Sequence, residues 1–456
     1  MNKVQPVDEV LPLPQMILFG LQHVLVMAAS PITAAFLVSR ALNLSPALTL
    51  NLISATFLIC GLGTLLQSFG PVGFGARLPF IMVPGGAPIV IFVTIAQQTN
   101  IATAAGAVIL TAIAYFIIVP VFARCLKFFP RLVIGTILLL VAVNLVKIYG
   151  GIIVGQPNSP NFADPTGVLL ALSTIVFTLL FARFLSGTLR QLSVLLGLVL
   201  GTCVAAALGK MSIAGVATGA VVSFPSLFPF GVPVFDFLAA VPLIVFSVIS
   251  MAEATGQTIA IADVVGKDIE PGKEVAKTIR GDAVASLLGG CLGTSLIITS
   301  GENIGIVKAT GIRSRYVTAS GGAILILLAL LAPVGRLINA IPGPVVGGTA
   351  IIVFCVIAVM GIDMLRKTDL GEHGNLFTLA AALAMGLLPI LVPGLYSKFP
   401  QSVQLILGNG LAAGTLTAVF FNIIFHHLPV FNQGAAAAAT ATTLAADPPP
   451  APSNSL

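Results

Sequence analysis

Residues 296–310 read LIITSGENIGIVKAT, apolar at both ends and broken in the middle by Gly301, Glu302, Asn303 and Gly305. Residues 78–94 read LPFIMVPGGAPIVIFVT and are broken in the same way by Pro84, Gly85, Gly86 and Pro88. Gly and Pro interrupt a helical hydrogen-bond ladder, so neither stretch predicts an ordinary helix. In lipid, irregular backbone survives only where it is buried in protein or lines a cavity. These two segments therefore decide the fold, provided that the rest of the chain is a membrane protein.

The composition indicates that it is. Of 456 residues, 57% are hydrophobic and 8% are charged, and the mean hydropathy is +1.09. A soluble domain carries about 25% charged residues. A bilayer-spanning helix needs about 20 apolar residues. Runs of that kind occupy 13–31, 48–69, 101–123, 131–150, 166–184, 190–208, 236–257, 281–295, 316–334, 344–362, 374–393 and 402–426. Adding the two broken segments predicts fourteen, and the first run reads as an anchor, not a cleaved leader. The scattered cysteines, Cys60, Cys125, Cys203, Cys291 and Cys355, read as packing residues.

Charge sets the orientation. With the N-terminus inside and fourteen alternating segments, 16 Lys and Arg fall inside and 5 outside, the outer five being Arg40, Lys147, Lys210, Arg336 and Lys398. Treating the broken segments as loops destroys this bias, so the positive-inside rule favours fourteen with both ends cytoplasmic. It also accounts for the net charge of +6 without nucleic acid. The halves resemble each other: Thr103 and Pro130 in the first correspond to Thr318 and Pro342 in the second, and Pro88-Ile-Val aligns with Gly305-Ile-Val. Seven segments per half, an odd number, inverts the second copy. An inverted repeat with one broken helix per half marks a secondary transporter. The fold expected is an all-α polytopic membrane protein, a 7+7 inverted repeat whose two broken segments carry short extended stretches.

Three acids lie at membrane depth: Glu253 in the run 236–257, Asp282 at the opening of the next, and Glu302 in the broken segment. Such groups cost at least about 2.5–3.5 kcal/mol and mark functional sites. Glu253 also reads as a span-end acid, and Asp282 as an N-cap or a tie between segments. Glu302 lies beside backbone opened by Gly301 and Gly305, where its carboxylate can accept ring N–H protons while free backbone groups pair with carbonyl oxygens. Gly85 and Gly86 let the opposing backbone approach the same flat heterocycle. His23, in the first run, reads either as an interhelical hydrogen bonder or as a polar neighbour of the site.

The stretch Glu302, Asn303, Gly305, Thr310, Gly311 resembles the signature of the nucleobase–ascorbate transporters: Gln, Glu or Pro, then Asn-x-Gly-x4-Thr, then a basic residue or Gly. Glu253, Gly256 and Gln257 resemble its Glu-x-x-Gly element, and Asp282 and His23 fit its further landmarks. The resemblance covers the chain to about residue 430. It implies a core domain (13–123 and 209–334) and a gate domain (124–208 and 335–430), between a cytoplasmic N-terminus (1–12) and a disordered tail (431–456). It implies that Glu253, Glu302, Gly301, Asn303, Gly85 and Gly86 form the substrate site, supported by Asp282, His23, Gln257 and Thr310. It further implies a homodimer in the cell inner membrane that imports a nucleobase by proton symport without metal or cofactor. Glu302 resembles uracil-type members and the 253–257 stretch resembles purine-type members, so xanthine or urate is favoured with uracil close behind. The alternative is an anion transporter or channel of the same architecture, such as the sulfate-permease type. No Ser/His/Asp set, metal-spaced cluster or phosphate loop points to an enzyme.

Overall fold

The computed structural model describes residues 5–122, 128–155, 162–212 and 216–428; Cys125, the tail 431–456 and the Glu302 side chain lie outside what is described. The first half runs α1 (Leu13–Met27), α2 (Ala29–Ala41), α3 (Pro46–Phe69), β1 (Met82–Pro84), α4 (Gly86–Gln98), α5 (Ile101–Ile118), α6 (Arg131–Val154), α7 (Pro165–Phe184) and α8 (Ser193–Ala207). The second runs α9 (Phe237–Val265), α10 (Pro271–Cys291), β2 (Ile297–Thr299), α11 (Glu302–Thr310), α12 (Arg315–Leu330), α13 (Gly343–Arg366), α14 (His373–Leu391) and α15 (Gly410–His426). Taking α1 and α2 as one bent rod, the second half repeats the order of the first. Among the described residues, eight helical segments are long and apolar enough to cross a membrane, and four apolar helices are shorter.

Both broken segments are a short strand followed by a helix. β1 and β2 pair antiparallel, Met82 opposite Thr299 and Pro84 opposite Ile297. Their outer edges need partners, because unpaired backbone is costly away from water. Thr64 Oγ1 accepts from the Met82 amide at 3.0 Å, and Ser286 Oγ accepts from the Ile297 amide at 3.1 Å. One hydroxyl from α3 and one from α10 thus close the ladder on either side.

The helices sort into two packing groups. In one, α12 lies against α3 and α1, and α5 against α9 and α10; in the other, α6 lies against α13, α7 against α8 and α13, and α14 against α15. Small residues permit the closest crossings. A Cβ at Gly61 would come within 2.6 Å of the Gly322 carbonyl oxygen, and one at Gly135 within 2.9 Å of that of Gly361.

Several boundaries differ from the sequence reading. The first run continues past residue 31 to Ala41, because Ala28 stays helical and Pro31 only bends the rod. The run read as 281–295 begins at Pro271, where proline suits a helix start and Lys277–Glu274 (2.6 Å) supports the solvated turns. Asp282 is therefore mid-helix and is not an N-cap. Gly305 lies within α11, so the break precedes Glu302 and does not run through the signature. The last run is split at Gly408, after which Asn409 caps α15 by accepting from the Leu411 and Ala412 amides at 3.1 Å.

Candidate functional site

A cavity of about 390 Å³ lies between the two groups. Glu253, Gly256 and Gln257 of α9 form one wall. The starts of the two short helices form another, through Gly85, Gly86, Ser300 and Gly301. Ile134, Leu138 and Val141 of α6 and Val353, Phe354, Ile357 and Met360 of α13 close it with apolar surface. Helix N-termini carry free N–H groups and partial positive charge. The N-termini of α4 and α11 both meet at this cavity, and polar ligand atoms can be received by backbone on two sides.

The glycines are there for space, not for backbone freedom. Gly85 and Gly301 have φ of −68° and −72°, which any residue adopts. A Cβ at Gly86 would meet Phe354 Cε1 at 3.0 Å, one at Gly85 would meet Pro88 Cγ at 2.9 Å, and one at Gly301 would meet Gln257 Nε2 at 3.2 Å.

Three other residues named from the sequence sit behind this wall. Asp282 is buried and does not line the cavity; its carboxylate accepts from Gln67 Nε2 at 3.0 Å and from Thr299 Oγ1 at 3.3 Å. Thr299 Oγ1 also lies 3.1 Å from Gln257 Oε1. One hydroxyl thus connects the buried acid to an amide on the cavity wall. His23 Nδ1 lies 2.6 Å from Asn303 Oδ1, with both residues buried, and Asn303 Nδ2 donates to the Pro79 carbonyl. A carbonyl can only accept, so Asn303 presents its oxygen to His23 and Nδ1 carries the ring proton. This network ties α1 to α11 and to the chain leading into β1. Thr310 closes the far end of α11, donating to the Ile306 carbonyl at 2.9 Å, away from the cavity. The Glu302 backbone follows Gly301 directly and starts α11.

Sequence reasoning missed Gln67, Thr299, Tyr149 and Phe354. Tyr149 stacks on Phe354 with ring centroids 5.4 Å apart and donates its hydroxyl to the Thr33 carbonyl at 2.8 Å. Polar or aromatic residues in a span were the available signal, but nothing in the order of residues pairs them.

The Permease family model (Xan_ur_permease) matches residues 14–395. The uric acid permease PucJ of Bacillus subtilis (strain 168) is 30% identical over 411 residues, covering 89% of this chain and 91% of the relative. The xanthine permease of the same organism is 28% identical over 407 residues, covering 89% and 93%. Among solved structures, the transmembrane domain of a cyanobacterium bicarbonate transporter, BicA, matches with a TM-score of 0.58 at 17% identity, covering 92% of this chain and 100% of that one. That last likeness is one of fold. The chain belongs to the permease family, that of the nucleobase–ascorbate transporters its signature residues resemble, and is a multi-pass membrane transporter, not an enzyme.

Proposed function

We propose that this protein imports an oxopurine, xanthine or urate ahead of uracil, by proton symport across the cell inner membrane. The observation that carries this reading is the cavity that brings Glu253, Gln257 and two helix N-termini together with the Phe354 ring. A carboxylate accepts ring N–H protons, backbone N–H groups receive carbonyl oxygens, and an aromatic face stacks on the base. The permease relatives named for uric acid and xanthine support the substrate class.

In this reading fourteen segments cross the bilayer, both termini are cytoplasmic, and the α1–α5 and α9–α12 group is a core that moves against the other group, the gate. The cavity uses the first turns of α6 and the later turns of α13, the ends assigned to the cytoplasm, so the conformation faces inward. Tyr149, bonded to Thr33 across the two groups, is the outer barrier. The protein acts as a homodimer.

Proton coupling follows from the Thr299 hydroxyl, which has one proton and two acceptors. When Asp282 is protonated, its own O–H donates to Thr299 Oγ1, and Thr299 donates to Gln257 Oε1. The amide is then fixed with its NH₂ toward the Gly301 side of the site. When Asp282 releases its proton, Thr299 turns to the carboxylate, Gln257 loses its donor and the base is held less firmly.

Uptake of labelled xanthine, urate and uracil into cells tests this. One base should accumulate, and a protonophore should abolish accumulation. Glu253→Gln removes a charged acceptor worth about 1.5–3 kcal/mol and should raise KM about 10- to 100-fold. Asp282→Asn should leave exchange of base but remove its dependence on the proton gradient. Accumulation that ignores the protonophore would overturn symport. Bicarbonate or sulfate uptake without base uptake would favour the anion reading, which shares the fold.

A further inference from the structure

A second hollow, of about 410 Å³, lies between the groups at the opposite end of α6 and is lined by Gln97, Gln98, Asn144 and Lys147. A third, of about 640 Å³, is lined by Arg40 and Asn43. The two share Ala41, Gln97, Ile148 and Gly151, so they form one vestibule. It is one helical turn from the central cavity, because Val141 lines that cavity and Asn144 lines this hollow. Tyr149, two residues past Lys147 on α6, stacks on Phe354 of the central cavity with ring centroids 5.4 Å apart.

The charges in this vestibule are unusual. A cation within a span marks an ion or substrate path by default. Of the five cations assigned to the outside, Lys210 pairs with Asp164 at 3.4 Å, and Arg336 donates to the Val216 and Ala220 carbonyls at 2.9 and 3.0 Å. Arg40 and Lys147 line the vestibule, and neither has a carboxylate partner among the described residues. Gln98 donates to the Gln404 carbonyl at 3.2 Å, while its Oε1 is buried without a hydrogen-bond partner among the described residues. Two cations without a carboxylate partner among the described residues, Lys147 held by the Ile390 carbonyl and Arg40 lying 5.9 Å over the Phe36 ring, stand beside three amides and suit a planar anion whose ring edges both donate and accept.

We propose that this vestibule is a capture site for the anionic form of an oxopurine, such as the urate monoanion present at neutral pH. Lys147 and Arg40 supply the countercharge, and Gln97, Gln98 and Asn144 supply ring-edge hydrogen bonds. The base passes to the central cavity when the Tyr149 barrier opens. This deepens the import reading and rests on it. The rival role for Lys147 is structural, since its Nζ donates to the Ile390 carbonyl near the end of α14.

The test is urate uptake by the reconstituted full chain at several ionic strengths. The double variant Lys147→Met with Arg40→Gln should raise KM for urate about three- to tenfold, with the effect falling on KM rather than kcat. Lys147→Arg should restore affinity. Salt should raise the wild-type KM and have little effect on the variant's, because exposed charges are screened. A KM that stays unchanged while the melting temperature falls would assign Lys147 to structure and overturn the capture site. If Lys147→Met does not fold, Arg40→Gln alone, at an exposed position, carries the same KM and salt comparison. If wild type takes up no oxopurine, the import reading fails and the capture site fails with it. If wild type takes up urate and neither substitution nor salt moves KM, only the capture site fails.

Discussion

Asp282, Thr299 and Gln257 lie on three different elements, α10, β2 and α9, and connect through a single hydroxyl. His23 and Asn303 are similarly remote in sequence, yet they meet at 2.6 Å in a buried bond. Asn303→Ala would leave the His23 Nδ1–H and the Pro79 carbonyl unpartnered, each at about 1–3 kcal/mol. The protein should melt several degrees lower in detergent, and an unchanged melting temperature would remove this pair from the account of what anchors α11. At this scale the sequence exposed the acids and His23, because ionisable groups in apolar runs stand out. Gln67 and Thr299 were invisible, since a neutral side chain in a span carries no such cost and only its neighbours give it a role.

The elements show a sharper division. That 78–94 and 296–310 could not be ordinary helices followed from Pro and Gly alone. That each is a strand joined to a helix, with its edge closed by Thr64 or Ser286, required the antiparallel pairing. The charged stretch 263–280 reads as a loop by composition, but only the few residues between Val265 and Pro271 lie outside the helices, because local Lys–Glu pairs and Pro271 at the start suit a solvated turn. Between elements, the Tyr149 hydroxyl joins α6 to α2. Tyr149→Phe removes a bond worth about 1 kcal/mol and should shift the population about fivefold toward the outward-facing state. Thiol labelling of a Val141→Cys variant, made after removing the native cysteines, should then become faster from outside. Labelling that stays unchanged would exclude Tyr149 as the barrier.

Across the whole molecule, the two packing groups leave apolar helix faces uncovered, notably on α7, where Leu169 is 64% and Leu179 53% exposed. Lipid and a second copy of this chain are the two surfaces that can cover such a face. The proposed homodimer requires native mass spectrometry to find a species of twice the 46.7 kDa chain, and a monomer at every lipid level would exclude it.

Hydropathy, charge bias and residue spacing by themselves determined a membrane transporter with two interrupted segments, because each depends on the local cost of placing a residue in lipid. The tertiary structure decided which polar groups face the cavity and which support it from behind. It put Glu253 and Gln257 on the wall, Asp282 one hydroxyl behind, Thr310 away from it, and Phe354 opposite the short helices. Those assignments depend on how two distant halves of the chain close against each other, and no local pattern of residues encodes that distance.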